Sequence, residues 1–133
     1  MNLCSFCNAE NFKSRLIHEF EHSYWILAQN QHYPGYSILI NKQHVREWHE
    51  VPEKIALDLH HNLRFISNKI QTALQPHKIN LASFGNLVEH LHWHIVPRYL
   101  SDPNHLQAPN LTMPASLTPE LLQHLKDILK IKK

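Results

Sequence analysis

The sequence has few of the features that mark membrane, fibrous or secreted proteins. Its 133 residues include only two glycines, and no apolar run is long enough to span a bilayer. The first residues form neither a basic nor an apolar leader segment. With 43% hydrophobic and 18% charged residues, the chain also lacks the polar bias of disorder. We therefore expect one compact domain over residues 1–133, located in the cytoplasm and not bound to a membrane.

An excess of one charge is also absent. Thirteen Lys and Arg stand against eleven Asp and Glu, so the chain offers no broad basic face for nucleic acid. Two cysteines cannot form a useful disulfide framework and fit a reducing compartment. The outlying number is thirteen histidines, far more than a generic core needs. Because imidazole titrates near neutral pH, binds metals and attacks phosphorus, the histidines indicate chemistry.

Hydrophobic periodicity predicts the elements in order. Alternation over Arg15–Gln29 and again over Tyr36–Ile40 predicts three strands in a meander, with Pro34-Gly35 as the turn between the second and third. Apolar residues every three or four positions after Pro52, which we place in the first turn, predict a long amphipathic helix that Pro76 stops. Two further strands are expected over Lys78–Phe84 and His92–Pro97.

The last third of the chain is rich in proline. Pro103, Pro109, Pro114 and Pro119 predict a long surface loop between Tyr99 and Leu117, which in a compact domain is usually a lid, a binding loop or a dimer contact. Thr118 and Pro119 then predict the start of a short C-terminal helix. Just before the loop, Arg98 has two interpretations, contact with a phosphate or pairing with Asp102, and the sequence does not choose.

The most informative segment places three histidines at strict alternation. Successive side chains of a strand point to opposite faces, so His90, His92 and His94 share one face. The apolar residues between them, Leu91, Trp93 and Ile95, lie on the other and can pack on a core. Two chemical interpretations follow from the spacing alone. The imidazoles could ligate a metal, or one could be a nucleophile at phosphorus that the others assist.

This segment resembles a family motif. His90-Leu91-His92-Trp93-His94-Ile95-Val96 matches the histidine triad, His-φ-His-φ-His-φ-φ with φ apolar, of the HIT family of nucleotide hydrolases and transferases. The resemblance extends to Pro97-Arg98, Pro34-Gly35, Lys42-Gln43-His44-Val45 and Cys4-x-x-Cys7. It implies an α+β, HIT-like fold, in which a five-stranded antiparallel sheet is backed by one long and one short C-terminal helix. It also implies assembly as a homodimer.

The resemblance assigns roles to individual residues. His92 would attack the α-phosphorus of a nucleotide and form a covalent nucleotidyl-histidine. His94 would lie near the bridging atom and help to protonate the leaving group, while His90 supports the triad from behind. Asn86 would contact the phosphate, and either Gln29 or Asn30 would contact the ribose. The resemblance also implies chemistry that requires no cofactor and a nucleotide as the substrate.

The loop before the triad departs from the family pattern. Many relatives carry Gln-Ser or Gln-Thr there, whereas this chain has Asn86-Leu87 and lacks the hydroxyl. Since that hydroxyl lies near the leaving group, a dinucleoside polyphosphate such as diadenosine tetraphosphate should be a better substrate than a nucleoside phosphoramidate. The 99–117 loop, from this subunit or its partner, would decide the leaving group. An alternative function is a nucleotide-binding or regulatory protein with little turnover.

The cysteine pair has two interpretations. Structural zinc needs four ligands, so Cys-x-x-Cys requires two more from elsewhere in the chain. The resemblance to zinc-binding bacterial relatives implies that Cys4, Cys7, His44 and His90 form the set. A pair of free thiols near the chain terminus is the alternative. If zinc takes His90, that residue is structural and cannot also be a general acid.

Overall fold

The chain folds into an antiparallel sheet backed by helices, in a computed structural model that describes residues 4–131. The predicted α+β architecture is confirmed. The ends of the predicted 1–133 domain, residues 1–3 and 132–133, lie outside the described residues. The five strands lie in the order β1-β2-β3-β5-β4. In chain order the elements are β1 (Leu16–Glu19), β2 (Ser23–Leu27), β3 (Ser37–Asn41), α1 (Glu53–Leu74), β4 (Lys78–Ala82), β5 (His92–Arg98) and α2 (Pro119–Leu129).

The turn between β2 and β3 has the conformation that Pro34-Gly35 predicts. Gly35 has a φ of +94°, and the amide of Tyr36 donates to the carbonyl of Tyr33 across 2.9 Å. Gln31 reinforces the turn, because its side-chain oxygen accepts from the amide of Gly35 at 2.8 Å. The two strands consequently pair in antiparallel register from Ser23 opposite Asn41 to Leu27 opposite Ser37.

One face of the sheet packs against α1. The helix buries Leu59, Leu63, Ile66 and Ile70, which recur at the predicted spacing of three or four residues. The sheet contributes alternate residues of three strands, among them Trp25, Leu39 and Ile95, all fully buried. Leu125 and Leu129 of α2 close the same core. The helix begins one residue later than predicted, since Pro52 is extended and precedes its first turn.

Within residues 4–131, the other face of the sheet is covered by neither α1 nor α2. Its apolar residues near β2 and β3, Ile26 and Ile40, pack with Phe12 from the N-terminal segment. Further along the face, Tyr36 and Val96 pack with Ala28 and Tyr33. Because this face is covered only by short segments, it leaves room for polar groups on β5.

The predicted loop between Tyr99 and Leu117 contains no helix or strand in this part of the described chain, apart from one bridge between Ser116 and Asn30. Arg98 holds the loop. Its guanidinium is buried and donates to the carbonyls of Asn104 and Gln107 at 2.9 and 2.6 Å, and to Asp102 at 3.2 Å. Of the two interpretations of Arg98, the structure supports pairing with Asp102, as part of a wider loop anchor.

Among residues 4–131, neither helix combines the length and the apolar character that crossing a bilayer requires.

The turn geometry yields a test of packing. A Cβ on Gly35 would collide with Cδ1 of Leu74 and lie 3.3 Å from Pro97, in addition to the cost of a left-handed backbone. We expect Gly35→Ala to lower the free energy of unfolding by about 3 kcal/mol in denaturant titration. Gly85→Ala is the control, because Gly85 has a φ of +67° but its nearest neighbour lies 3.7 Å away. Gly85→Ala should lower the free energy of unfolding by about 1 to 2 kcal/mol. Equal losses in the two variants would contradict the collision argument.

Candidate functional site

The site lies on the helix-free face of the sheet, where β5 runs between β3 and β4. Ile40 pairs with His92 and Ile38 pairs with His94, so both imidazoles stand on the face of the isoleucines, away from α1. Their ring centroids lie 4.9 Å apart. On the opposite face, Trp93 and Ile95 pack into the core as predicted. The alternation therefore places two imidazoles side by side on a surface that the helices leave open.

His92 has one ring nitrogen bonded and the other available. Its Nδ1 lies 2.7 Å from the backbone carbonyl of His90. A carbonyl can only accept, so Nδ1 carries the proton and Nε2 carries the lone pair. Burial lowers the pKa of His92 below the usual value for histidine, which keeps the ring neutral near pH 7. A neutral imidazole with a free Nε2 lone pair is the form that can attack phosphorus.

His94 has a different partner at the same ring position. The hydroxyl of Tyr36 lies 2.7 Å from its Nδ1. Burial, with a smaller contribution from the nearby His92, lowers the pKa of His94 to about 4. The ring of Phe84 lies on the other side, with centroids 5.9 Å apart. His94 is therefore a neutral imidazole held between two aromatic side chains.

His90 lies just before β5 rather than within it, which differs from the predicted row of three on one strand. Asn41 ends β3 at this level, and Leu91 instead pairs with Asn41 and Val45 through backbone hydrogen bonds. The side chain of His90 is fully buried, and its Nε2 donates to the carbonyl of Asn41 at 2.5 Å. Burial first, and the adjacent imidazoles of His44 and His92 second, lower its pKa. Its Nδ1 consequently carries a lone pair.

That lone pair points into a cluster of potential metal ligands. Nδ1 of His90 lies 3.3 Å from Sγ of Cys4, 3.4 Å from Sγ of Cys7 and 3.0 Å from Nδ1 of His44. All four ligand atoms lie within 4.8 Å of one another. Two sulfurs and two ring nitrogens form the donor set that tetrahedral zinc prefers, and the Asn41 carbonyl leaves the His90 nitrogen free of a proton. The residues of this chain therefore fit a structural zinc ion.

The cysteine segment also reaches the triad directly. Phe6 lies between Cys4 and Cys7 in a single 3-10 turn, Ser5–Cys7. Its ring contacts His92 edge to face, with centroids 4.9 Å apart, and lies 6.2 Å from the ring of His90. The conformation of the Cys-x-x-Cys segment thus determines where the Phe6 ring lies against His92.

The three residues predicted to contact the substrate are Asn86, Gln29 and Asn30. Asn86 is exposed and lines a cleft with Cys4 and His44, beside the cysteine and histidine cluster. Gln29 is exposed. Asn30 uses its amide to hold the long loop, because it donates to the carbonyls of Leu111 and Met113. The assignments of these three residues stay predictions.

Three residues of the site were not predicted from the sequence: Tyr36, Phe6 and Ser83. Tyr36 and Phe6 contact the histidines from a turn and from the N-terminal segment, and pattern alone gives no sign of either contact. The hydroxyl of Ser83 donates to the backbone carbonyl of His92 at 2.7 Å. Ser83 directly follows β4. Leu87, which stands where the family pattern has a hydroxyl residue, is almost fully exposed.

Comparison with known proteins agrees with this geometry. A family model of the HIT domain matches residues 9–101. The chain belongs to the HIT family. This HIT protein is 29% identical to the protein Hit of Bacillus subtilis over 103 residues, which cover 72% of this chain and 71% of that protein.

Solved structures of HIT proteins share the fold. A histidine triad protein from Marinobacter aquaeolei matches with a TM-score of 0.79 and 25% identity, over 90% of each chain. A zinc-bound histidine triad family protein from Mycobacterium smegmatis matches with a TM-score of 0.74 and 22% identity, over 96% of this chain and 93% of that one. The five-stranded antiparallel sheet with two helices is therefore a HIT fold.

The surroundings of His94 predict its titration. In the unfolded chain its pKa returns to about 6.5, so between about pH 6.5 and 4 the unfolded state binds more protons than the folded state. We expect His94 to contribute a loss of folding stability as the pH falls through this window. Proton NMR titration should place the His94 ring signal near pH 4, with His94→Gln identifying the resonance. Titration near pH 6.5 would show that the imidazole is solvated.

Proposed function

We propose that this protein is a nucleotide hydrolase or nucleotidyl transferase that cleaves its substrate at the α-phosphorus through a covalent intermediate on His92, and that residues 1–133 act as one HIT domain. Membership of the HIT family supports a nucleotide-binding or hydrolase-type function in general. The observation that carries the finer proposal is the hydrogen bond from Nδ1 of His92 to the carbonyl of His90. Because this hydrogen bond places the ring proton on Nδ1, Nε2 of the neutral ring carries a lone pair and can act as a nucleophile.

The reaction would take two displacements at phosphorus. Nε2 of His92 attacks the α-phosphorus, a nitrogen to phosphorus bond forms, and the bond to the leaving group breaks with its electron pair going to the leaving oxygen. Water then attacks the phosphorus, releases the nucleotide and returns the electron pair to Nε2, while a proton passes to solvent. An acceptor other than water would make the same chemistry a nucleotidyl transfer.

The substrate class follows from what lies around His92. His94 places a polar ring nitrogen beside the nucleophile, and the amide of Asn86, on the exposed loop before the triad, is proposed to reach the phosphate. Leu87 lacks the hydroxyl of the family pattern, and the hydroxyl of Ser83 donates to the His92 carbonyl. A dinucleoside polyphosphate, which leaves as a stable phosphate anion, therefore suits this site better than a phosphoramidate.

Assembly as a homodimer is proposed from the free edge of the sheet. β4 pairs with β5 only and leaves one side unpaired in the sheet order. Exposed apolar side chains lie beside that edge, Leu81 on β4 and Phe65 on α1. An unpaired strand edge flanked by apolar side chains is well suited to pair with a second copy.

Catalysis by His92 predicts the outcome of a single substitution. Wild type should hydrolyse diadenosine tetraphosphate faster than adenosine phosphoramidate, and His92→Asn should lower kcat by at least about a thousandfold because the nucleophile is lost. His49→Asn, on an exposed 3-10 turn, is the matched control. Full activity in His92→Asn would refute the nucleophile. If wild type binds adenosine monophosphate but neither protein turns over substrate, the protein acts by binding.

We propose that zinc, held by Cys4, Cys7, His44 and His90, has a structural role. When bound, zinc would fix the Cys-x-x-Cys segment to the loop before α1 and to the start of β5. All residues that face the substrate in the proposed reaction lie outside this ligand set. The ion therefore supplies folding stability, and the chemistry belongs to His92.

The zinc proposal is tested by metal content and stability together. Purified protein should hold about one zinc per chain by elemental analysis, and Cys4→Ser should lose it and unfold at a lower temperature. Ser5→Ala, between the two cysteines, is the control and should keep the metal. Chelation should lower the thermal stability, and turnover should persist below the new unfolding temperature. Loss of turnover in chelated but folded protein would instead indicate a catalytic metal, and protein without zinc would support the free-thiol interpretation.

A further inference from the structure

Tyr36 bonds to a histidine of the triad and has no role in the proposed reaction. It lies between the turn at Gly35 and the start of β3, and its side chain is 5% exposed. Its backbone is fixed on both sides, because its amide donates to Tyr33 and its carbonyl accepts from the side-chain amide of Gln31 at 2.8 Å. Val96 and Ala28 pack around the ring. The Tyr36 hydroxyl is therefore held in a fixed position beside His94.

The direction of the hydrogen bond follows from the chemistry of the two groups. Burial raises the pKa of Tyr36 to about 12, so the phenol keeps its proton near neutral pH. The unprotonated nitrogen of a neutral imidazole is a better acceptor than a phenol oxygen. Within residues 4–131, the hydroxyl has no second hydrogen-bond partner that could take its proton. Tyr36 therefore donates, and Nδ1 of His94 accepts.

We propose that Tyr36 is a positioning residue that fixes the proton of His94 on Nε2, so that the two histidines of β5 present opposite groups to the substrate. This proposal rests on the proposed function for its catalytic consequence. His92, with its proton on Nδ1, presents a lone pair, and His94, with its proton on Nε2, presents a donor. The rings are 4.9 Å apart, so the nucleophile and the donor can act on one phosphoryl group.

The fixed tautomer also restricts the leaving group. A neutral imidazole that gave up its Nε2 proton would become an imidazolate, which is a strong base and is disfavoured. His94 therefore donates a hydrogen bond to the leaving or phosphoryl oxygen without transferring its proton. A polyphosphate leaves as an anion and needs no proton, whereas an alkylamine must be protonated to leave. Tyr36 thus favours anhydride substrates over phosphoramidates.

The test is the substitution Tyr36→Phe, with the tautomer of His94 read directly. In ¹⁵N NMR of labelled, substrate-free wild type at pH 7, His94 should show a protonated Nε2 and an unprotonated Nδ1. In Tyr36→Phe both tautomers should be populated, and kcat for diadenosine tetraphosphate should fall about tenfold while KM changes less than twofold. Tyr24→Phe is the control, because it removes a phenol hydroxyl from β2, where the ring contacts Phe12 and Lys42 rather than the histidines. It should leave both the tautomer and kcat unchanged.

The NMR measurement separates this proposal from the proposed function. If His94 shows the expected tautomer and loses it in Tyr36→Phe while no substrate is turned over, the positioning role stands and the proposed hydrolase function fails. A proton on Nδ1 of His94 in wild type would overturn the positioning role. This measurement uses wild type alone and does not depend on whether Tyr36→Phe folds. An unchanged tautomer in folded Tyr36→Phe would overturn it as well, whatever the activity.

Discussion

The site depends on one constraint, the pairing of β5 between β3 and β4 with a core on only one face. Ile95 is fully buried toward α1, so a slip of one residue would turn His92 and His94 into the core and expose the apolar face. The helices cover one face alone, and the other is left for imidazoles. Burial of the apolar residues of β5 thus fixes where the chemistry can occur.

Within that frame, each histidine is distinguished by its hydrogen-bond partner. His90 donates from Nε2 to the carbonyl of Asn41, and its other nitrogen faces the cysteines. His92 donates from Nδ1 to the carbonyl of His90. His94 meets the hydroxyl of Tyr36. His92 consequently carries its ring proton on Nδ1, whereas His90 carries it on Nε2, and donation from Tyr36 gives His94 the Nε2 form as well.

The N-terminal segment joins the cysteine and histidine cluster to His92 by packing. Phe6 lies in the 3-10 turn Ser5–Cys7, and its ring lies edge to face on His92. His90 belongs to both regions, since its side chain faces the cysteines while its carbonyl orients His92. Packing in this region therefore connects the cysteine and histidine cluster with His92 through Phe6 and His90.

The sequence by itself determined the sheet, the helices, the turn at Pro34-Gly35 and the shared face of His92 and His94, because each depends on local periodicity or on a backbone preference. It also grouped Cys4, Cys7, His44 and His90, although only through the resemblance to a family. The tertiary structure decided that Arg98 anchors the long loop and that Tyr36 and Phe6 contact the histidines. These contacts join residues 4 to 86 positions apart, and hydrophobic periodicity carries no information about which polar group meets which ring nitrogen or carbonyl.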